Sequence, residues 1–505
     1  MSKPGGHLSQ QELEGYLWGA AGLLRGLIDA GDYKQYIFPL LFFKRLSDVW
    51  DEDYQAALAE SGDAGFARAT ADDHFVIPDG AQWSDVRAAS RDVGRELVSA
   101  FQAIETANPE RLAGIFGSAA WTDKAQMPDA TLKNLIEHFS QHTLSLAAVP
   151  EDELGNAYEY LIKQFADDSG HTAQEFYTNR TLVHLMTQLL EPQPGERIYD
   201  PTAGTGGMLI SALAEVRRRG GDARTLRLYG QEVIHTTAAI ARMNLALHGV
   251  EDFEIAVGNT LSAPAFIERD LLHTFDVVLA NPPYSIKTWN REAWQTDAWG
   301  RNFLGVPPQG RADYAFFQHI LKSLDPTTGR CAILFPHGVL FRNEEAGMRR
   351  RLIEADLLES VLGLGPNLFY NAPMEACVVV CRTQKPPERR GKILFINAVG
   401  EVARERAQSF LRPEHQQRIL AAYRAFAGEP GFAMVAGLAD VLDNDGNLSI
   451  PRYVRPVGNG EGEATGADLK QAWAAFEAGG PEFWAEMDGL VEMLDGLVAG
   501  DEGDG

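Results

Sequence analysis

The chain has 505 residues, room for about three domains of ordinary size, and its 45% hydrophobic and 23% charged content is that of a soluble globular protein. A net charge of −25 argues against a protein that grips nucleic acid unaided, because neutralising phosphates takes a basic face. Met1–Gln11 is polar and Gly-rich with no apolar stretch behind it, and the densest apolar run, Tyr36–Phe43, is too short for a bilayer and contains Pro39. The expectation is a cytoplasmic protein with no membrane contact. Cys331, Cys377 and Cys381 are too few and dispersed for a structural zinc site. Cys377 and Cys381, four apart on an expected strand, lie about 13 Å from each other at ~3.3 Å per residue, too far for a disulfide. No metal site is expected.

Residues 1–148 read as a helical domain. Leu13, Leu17, Leu24, Leu27 and Ile28 recur at helical spacing behind a Ser9 cap with Glu12 at the capping-box position. Helical patterns follow at Tyr36–Tyr54, Arg91–Ile104 and Thr131–Phe139. His7, His74, His138 and His142 are scattered and form no catalytic set. The region reads as packing or docking.

From 149 the pattern changes. A helix runs from Pro150 to about Phe165, and then the stretch Gln174–Arg180, QEFYTNR, leads into an amphipathic helix built on Leu182, Leu185, Met186, Leu189 and Leu190. Such a helix N-terminus offers free N–H groups to an anion, and Phe176 and Tyr177 can wall a ligand. Next, Arg197–Tyr199 reads as a short strand delivering Asp200 to a turn with Gly204, Gly206 and Gly207, followed by a helix over Met208–Val216. Glycines there let a ligand approach the backbone closely. Neither GxGxxG nor a Gly-Lys-Ser/Thr signature is present, which disfavours a dinucleotide or nucleoside triphosphate. A second strand, Leu226–Tyr229, ends at Glu232, an acid placed to accept ribose hydroxyls. A third, Ile255–Val257, ends near Asn259, which can bond an adenine edge. Each residue alone also suits a solvated loop; their agreement in successive βα units points to one site.

The fourth strand carries the chemistry. In Phe275–Tyr284, FDVVLANPPY, a buried strand stops at Pro282 and Pro283, which have no N–H for a neighbouring strand. Asn281 and Tyr284 are left at its exit, where open α/β sheets bind ligands. An amide, a proline carbonyl and an aromatic ring can accept both hydrogens of a planar amino group and stack on the ring bearing it, which makes that nitrogen nucleophilic. A strand merely ending in a proline turn is the competing reading.

Ser285–Gly310, with Trp289, Trp294 and Trp299, reads as a long loop over the site. A helix over Tyr314–Leu324 and strands at Cys331–Phe335, Leu357–Leu362, Ala376–Cys381 and Lys392–Asn397 follow, with a boundary expected at Pro386–Gly391. Arg217–Arg219 and Arg349–Arg351 read as solvated basic faces. Beyond Glu401 the chain turns helical, passes DNDGNLSIPRY (Asp443–Tyr453, a turn and an extended piece) and a flexible linker at Gly458–Gly466. It ends in a helical tail bearing Phe483, Met487, Leu490, Leu494 and Leu497. Residues 457–505 hold twelve acids against Lys470 alone, and that tail suits docking on a basic partner as well as on its own domain.

DPTAGTG, Glu232 and NPPY in this order resemble the amino-group DNA methyltransferases that use S-adenosylmethionine. The helical front, EFYT and NLSIPRY narrow the resemblance to the modification subunit of type I restriction–modification systems, over roughly 8–460. The resemblance implies an α/β, Rossmann-like S-adenosylmethionine-dependent methyltransferase domain at 149–400, preceded by the helical domain 1–148 and followed by a C-terminal segment, 401–505, with linker and docking helix. It implies cofactor contacts from Glu175, Phe176, Tyr177, Thr178, Asn179, Arg180, Thr202, Ala203, Gly204 and Glu232, to which the strand-end and turn reading adds Asp200, Gly206 and Asn259. The flipped adenine of double-stranded DNA would be held by Asn281, Pro282, Pro283 and Tyr284. The chain departs from the family at Asn179, where proline is common. Implied partners are a DNA specificity subunit bearing two modification subunits, and a motor-nuclease restriction subunit. N4 of cytosine, a protein glutamine side chain, and a non-catalytic scaffold role are the rival readings.

Overall fold

Helix α1 (Gln10–Leu24) starts where the capping box placed it: the Glu12 N–H donates to Ser9 Oγ and the Ser9 N–H to Glu12 Oε2, at 3.4 and 3.0 Å. It stops at Leu24, with Gly26 at φ +81°, so Leu27 lies beyond the helix and half exposed rather than on its buried stripe. A computed structural model of the chain describes residues 8–73, 75–168, 179–284, 286–366, 368, 376–405 and 408–455. The expectations for Glu175–Thr178, the 458–466 linker and the tail stripe fall outside these residues.

Helix α2 (Lys34–Ser61) is longer than its aromatic pattern and accommodates Pro39 in its second turn. Several of its polar residues are turned away from water. Buried Arg45 donates to the carbonyls of Leu144, Ser145 and Val149, while Asp48 accepts the Leu144 N–H and Glu52 those of Leu146 and Ala147. These bonds satisfy a loop backbone that burial would otherwise leave unpaired. With α3 (Val93–Ala107) and α4 (Asp129–Phe139), the front helices bury one apolar core. That core continues past residue 148 into α5 (Glu151–Asp168) and one face of α8 (His235–Leu247), through Tyr158, Ile240 and Met243.

The rest is built on one nine-stranded sheet. Its strands are β1 (Arg197–Asp200), β2 (Arg227–Glu232), β3 (Phe253–Val257), β4 (Val277–Ala280), β5 (Arg330–Pro336), β6 (Leu358–Leu364), β7 (Ala376–Arg382), β8 (Lys392–Ala398) and β9 (Ala433–Gly437), in the order β9-β8-β6-β7-β5-β4-β1-β2-β3. β3, β2, β1, β4 and β5 are mutually parallel; β7 inserts antiparallel between β5 and β6. The order reverses between β1 and β4, which fixes the crevice where such sheets bind ligands. Helices α6 (Arg180–Leu190), α7 (Gly207–Arg218), α9 (Asp313–Lys322) and α10 (Pro413–Ala425) flank the sheet, with apolar cores on its two faces. This is a Rossmann-like α/β fold behind a helical N-terminal region.

Four expectations change. Pro386–Gly391 is no boundary: it is a short turn that returns the chain to lay β8 beside β6. Beyond Glu401 the chain is not only helical, since β9 pairs antiparallel with β8, and Ile450–Arg452 is a 3-10 turn, not an extended piece. The basic run at 349–351 is a solvated face only in part, with Arg350 and Arg351 exposed. Arg349 is buried, with its guanidinium on the carbonyls of Gly446 and Arg342, and Arg351 donates to Leu304 O. The three cysteines are free and buried, as small core residues. Among the described residues no helix is long and apolar enough to cross a membrane.

Candidate active site

The strand register brings the two halves of the site together. Ile198 and Tyr199 of β1 pair with Val277 and Val278 of β4, so Asp200 and Asn281 leave neighbouring strands at the same sheet edge. Both line one cavity of about 410 Å³, with Thr202, Ala203 and Gly204 from the glycine turn, Arg180 and His184 from α6, and Asn156 and Glu159 from α5.

The turn after β1 is held from several sides. Asp200 Oδ1 accepts the Thr202 N–H at 2.9 Å, the Ala203 N–H donates to Gln231 O, and Glu232 takes the N–H groups of Gly204 and Ile234 at 3.0 and 2.9 Å. Gly204 sits at φ +53° and Gly206 at +83°, a region that side-chain-bearing residues adopt at a cost. Beneath the turn, a Cβ on Gly230 would stand 2.8 Å from the Ala203 Cβ and 2.6 Å from Ile255 Cδ1. That glycine is what lets the turn lie down on β2. Burial pushes the Asp200 carboxyl up to about 7, with the Glu232 charge adding to the shift against the Thr202 hydrogen bonds.

On the other side, Pro282 is buried, Pro283 exposed and Tyr284 half-buried. The Tyr284 hydroxyl donates to Asn281 Oδ1 at 2.6 Å, and burial holds the phenol well above its ordinary range.

Other expected residues are placed differently. Asn259 Oδ1 accepts the N–H groups of Leu261 and Ser262, so this side of the amide caps its own turn. Asn179 caps α6 through Thr181 N–H, and its Nδ2 donates to Ser409 O. With Leu182 and Val183 N–H on Asn179 O, three of the N–H groups at this helix start, that of Thr181 included, are spent inside the protein. Arg180 forms an ion pair with Glu159. Val233, directly after Glu232, is 58% exposed. Trp294, expected over the site, is buried. Among the described residues no group of three or more His, Cys, Asp or Glu side chains is placed to hold a metal ion.

Residues 149–461 match the family model described as N-6 DNA methylase, and 13–139 match that of the HsdM N-terminal domain. The chain belongs to the methylase subunits of type I restriction–modification systems. It is 30% identical over 398 residues to the type I restriction enzyme HindI methylase subunit of Haemophilus influenzae, covering 75% of this chain and 86% of that one. It is 28% identical to the MjaIX methylase subunit of Methanocaldococcus jannaschii, over 95% of this chain and 88% of the relative. The crystal structure of a type I methyltransferase subunit from Streptococcus thermophilus superposes with a TM-score of 0.78 at 30% identity, covering 89% of this chain and all of that one. This methylase subunit is thus an S-adenosylmethionine-dependent DNA methyltransferase.

The described residues fit that cofactor. A buried carboxyl short of a cationic partner (Asp200), glycines in the left-handed region and a carboxylate at the tip of β2 line or flank one cavity.

Proposed function

We propose that this subunit methylates N6 of adenine in duplex DNA, on a base extruded into the cleft beside Asn281. The observation that carries the reading is the shared cavity: Asp200, Thr202, Ala203 and Gly204 line the same space as Asn281. Cofactor would be held by Asp200, the Thr202–Gly206 turn, Glu232, and the Glu175–Arg180 stretch with Asn259 at its margins.

When bound, the cofactor supplies an electrophilic methyl group on a sulfonium whose departure leaves a neutral thioether. The work of the chain is positional. N6 lies inside the base stack, and extrusion costs a few kcal/mol. The Asn281 side chain and the Pro282 carbonyl would accept the two N6 hydrogens, turning the nitrogen lone pair away from the ring. The Tyr284 ring, behind Pro283, would stack on the base and replace part of the lost stacking. With no strong base assigned at N6, the proton would leave through the Asn–Pro cradle to solvent.

The acidic chain would leave DNA reading to a basic specificity subunit carrying two copies of this one, in the cytoplasm, with a motor-nuclease subunit for cleavage. Purifying the complex from its host and supplying cofactor with a labelled methyl group tests this. Label in N6-methyladenine is the expected result. Label in N4-methylcytosine would move the acceptor to cytosine, label in protein would make glutamine the substrate, and no label in DNA would favour a scaffold role.

A further inference from the structure

Between β4 and α9, Arg301 is 1% exposed yet has a partner for each of its five N–H groups. Nε and Nη2 donate to Asp297 Oδ1 at 2.9 and 2.6 Å, and Nη2 also to Leu261 O at 2.8 Å. Nη1 donates to Thr260 O at 3.0 Å and faces His319 Nδ1 at 3.4 Å. The guanidinium carbon stands 4.5 and 4.8 Å from the ring centres of Trp294 and Trp299. A buried ion pair contributes little to stability over a well-packed apolar set, so what this arrangement joins is informative.

It joins both sides of the cleft. Thr260 Oγ1 donates to Pro201 O at 2.6 Å, and His319 Nε2 lies 3.1 Å from the Tyr199 hydroxyl. Arginine only donates, so His319 Nδ1 accepts and its hydrogen sits on Nε2, toward Tyr199; burial keeps the ring neutral. Pro201 and Tyr199 flank Asp200. Arg301 itself belongs to the segment that follows Asn281–Tyr284.

We propose that Arg301 is a positioning residue through which the glycine turn of the cofactor cleft and the 286–310 segment beside the acceptor loop are seated together, so that filling the first orders the second. This rests on the cofactor assignment above, and its test separates the two. Amide hydrogen exchange of the full chain is measured with and without S-adenosylhomocysteine. In the wild type, exchange should slow on the order of tenfold both at 200–206 and at 286–310. In Arg301→Lys, a point charge that cannot reproduce the planar fork, slowing at 200–206 should persist while that at 286–310 falls to under twofold. Thr260→Val, which removes only the hydroxyl link to Pro201, should give the same split if Arg301→Lys does not fold. A purely structural arginine would raise exchange equally with and without ligand, leaving the ligand-induced difference unchanged, and that result overturns the proposal. Wild-type slowing at 200–206 with none at 286–310 overturns it without any variant. No slowing anywhere overturns the cofactor assignment and this proposal with it.

Discussion

The Tyr284 hydroxyl donates a 2.6 Å hydrogen bond to Asn281 Oδ1, the same oxygen that the proposed reaction assigns to an amino hydrogen of the base. The acceptor is thus satisfied within the chain, and a base that took up this oxygen would compete with the phenol.

Tyr284→Phe keeps the ring and removes the competitor. Methyl transfer should persist, with the KM for DNA unchanged or lowered by up to about fivefold, the worth of one net hydrogen bond of ~1 kcal/mol. Tyr284→Ala should instead lose the stacking surface and raise KM. Steady-state kinetics of the assembled complex with both variants checks this; a Phe variant as impaired as the Ala variant would mean the hydroxyl itself is needed.

Asp200 carries a pH signature. Its folded carboxyl is pushed up to about 7, against about 3.9 in an unfolded chain. Between those values the native state holds a proton that the unfolded state has lost, so this group's contribution to stability declines as pH rises through that window and is constant above it. A cofactor carrying sulfonium and ammonium charges favours the carboxylate. Binding should release a proton below pH 7, and affinity should rise with pH by at most about tenfold per unit up to about 7, then level off. A second buried carboxyl, Glu345, is also pushed up to about 7, so calorimetry on Asp200→Asn assigns the slope. It should vanish in that variant.

Gly230→Ala places a methyl 2.8 Å from the Ala203 Cβ and 2.6 Å from Ile255 Cδ1. Overpacking of this kind costs about 1–3 kcal/mol. Because the strain is relieved by lifting the glycine turn off β2, cofactor affinity should fall more than DNA affinity. Thermal unfolding together with cofactor titration measures both; loss of stability alone, with normal cofactor binding, would show that the strain is absorbed elsewhere.

Much of this was legible in the sequence because it is local. The Ser9–Glu12 box, the Asp200–Gly207 turn and the Asn281–Tyr284 stop each encode their geometry within a few residues. What escaped depends on distant partners. Arg349 looks like a solvated cation until Gly446, 97 residues on, supplies its carbonyl. β9 is five residues whose strand character comes from pairing with β8. Leu27 keeps the helical spacing of α1 after the backbone has turned at Gly26. Tryptophans at 294 and 299 could as well have faced a base; burial of Arg301 and Asp297 between Thr260 and His319 turns this stretch inward. Asn259 reads as a ligand donor in the sequence, and the turn it caps takes its oxygen instead.

The central claim is that a methyl-donor site and an amine-acceptor site meet in one cleft and are separable by substitution. Cofactor affinity and single-turnover methyl transfer measured on Asn281→Ala and Gly204→Val in the assembled complex test it most directly. Asn281→Ala should bind cofactor within about twofold of wild type, or ~0.4 kcal/mol, while transfer falls by at least about a hundredfold, or ~2.7 kcal/mol. Gly204→Val, forced to hold φ near +53° and crowding the turn, should lose cofactor binding itself. Equal loss of binding and transfer in Asn281→Ala, or unchanged affinity in Gly204→Val, would contradict the account.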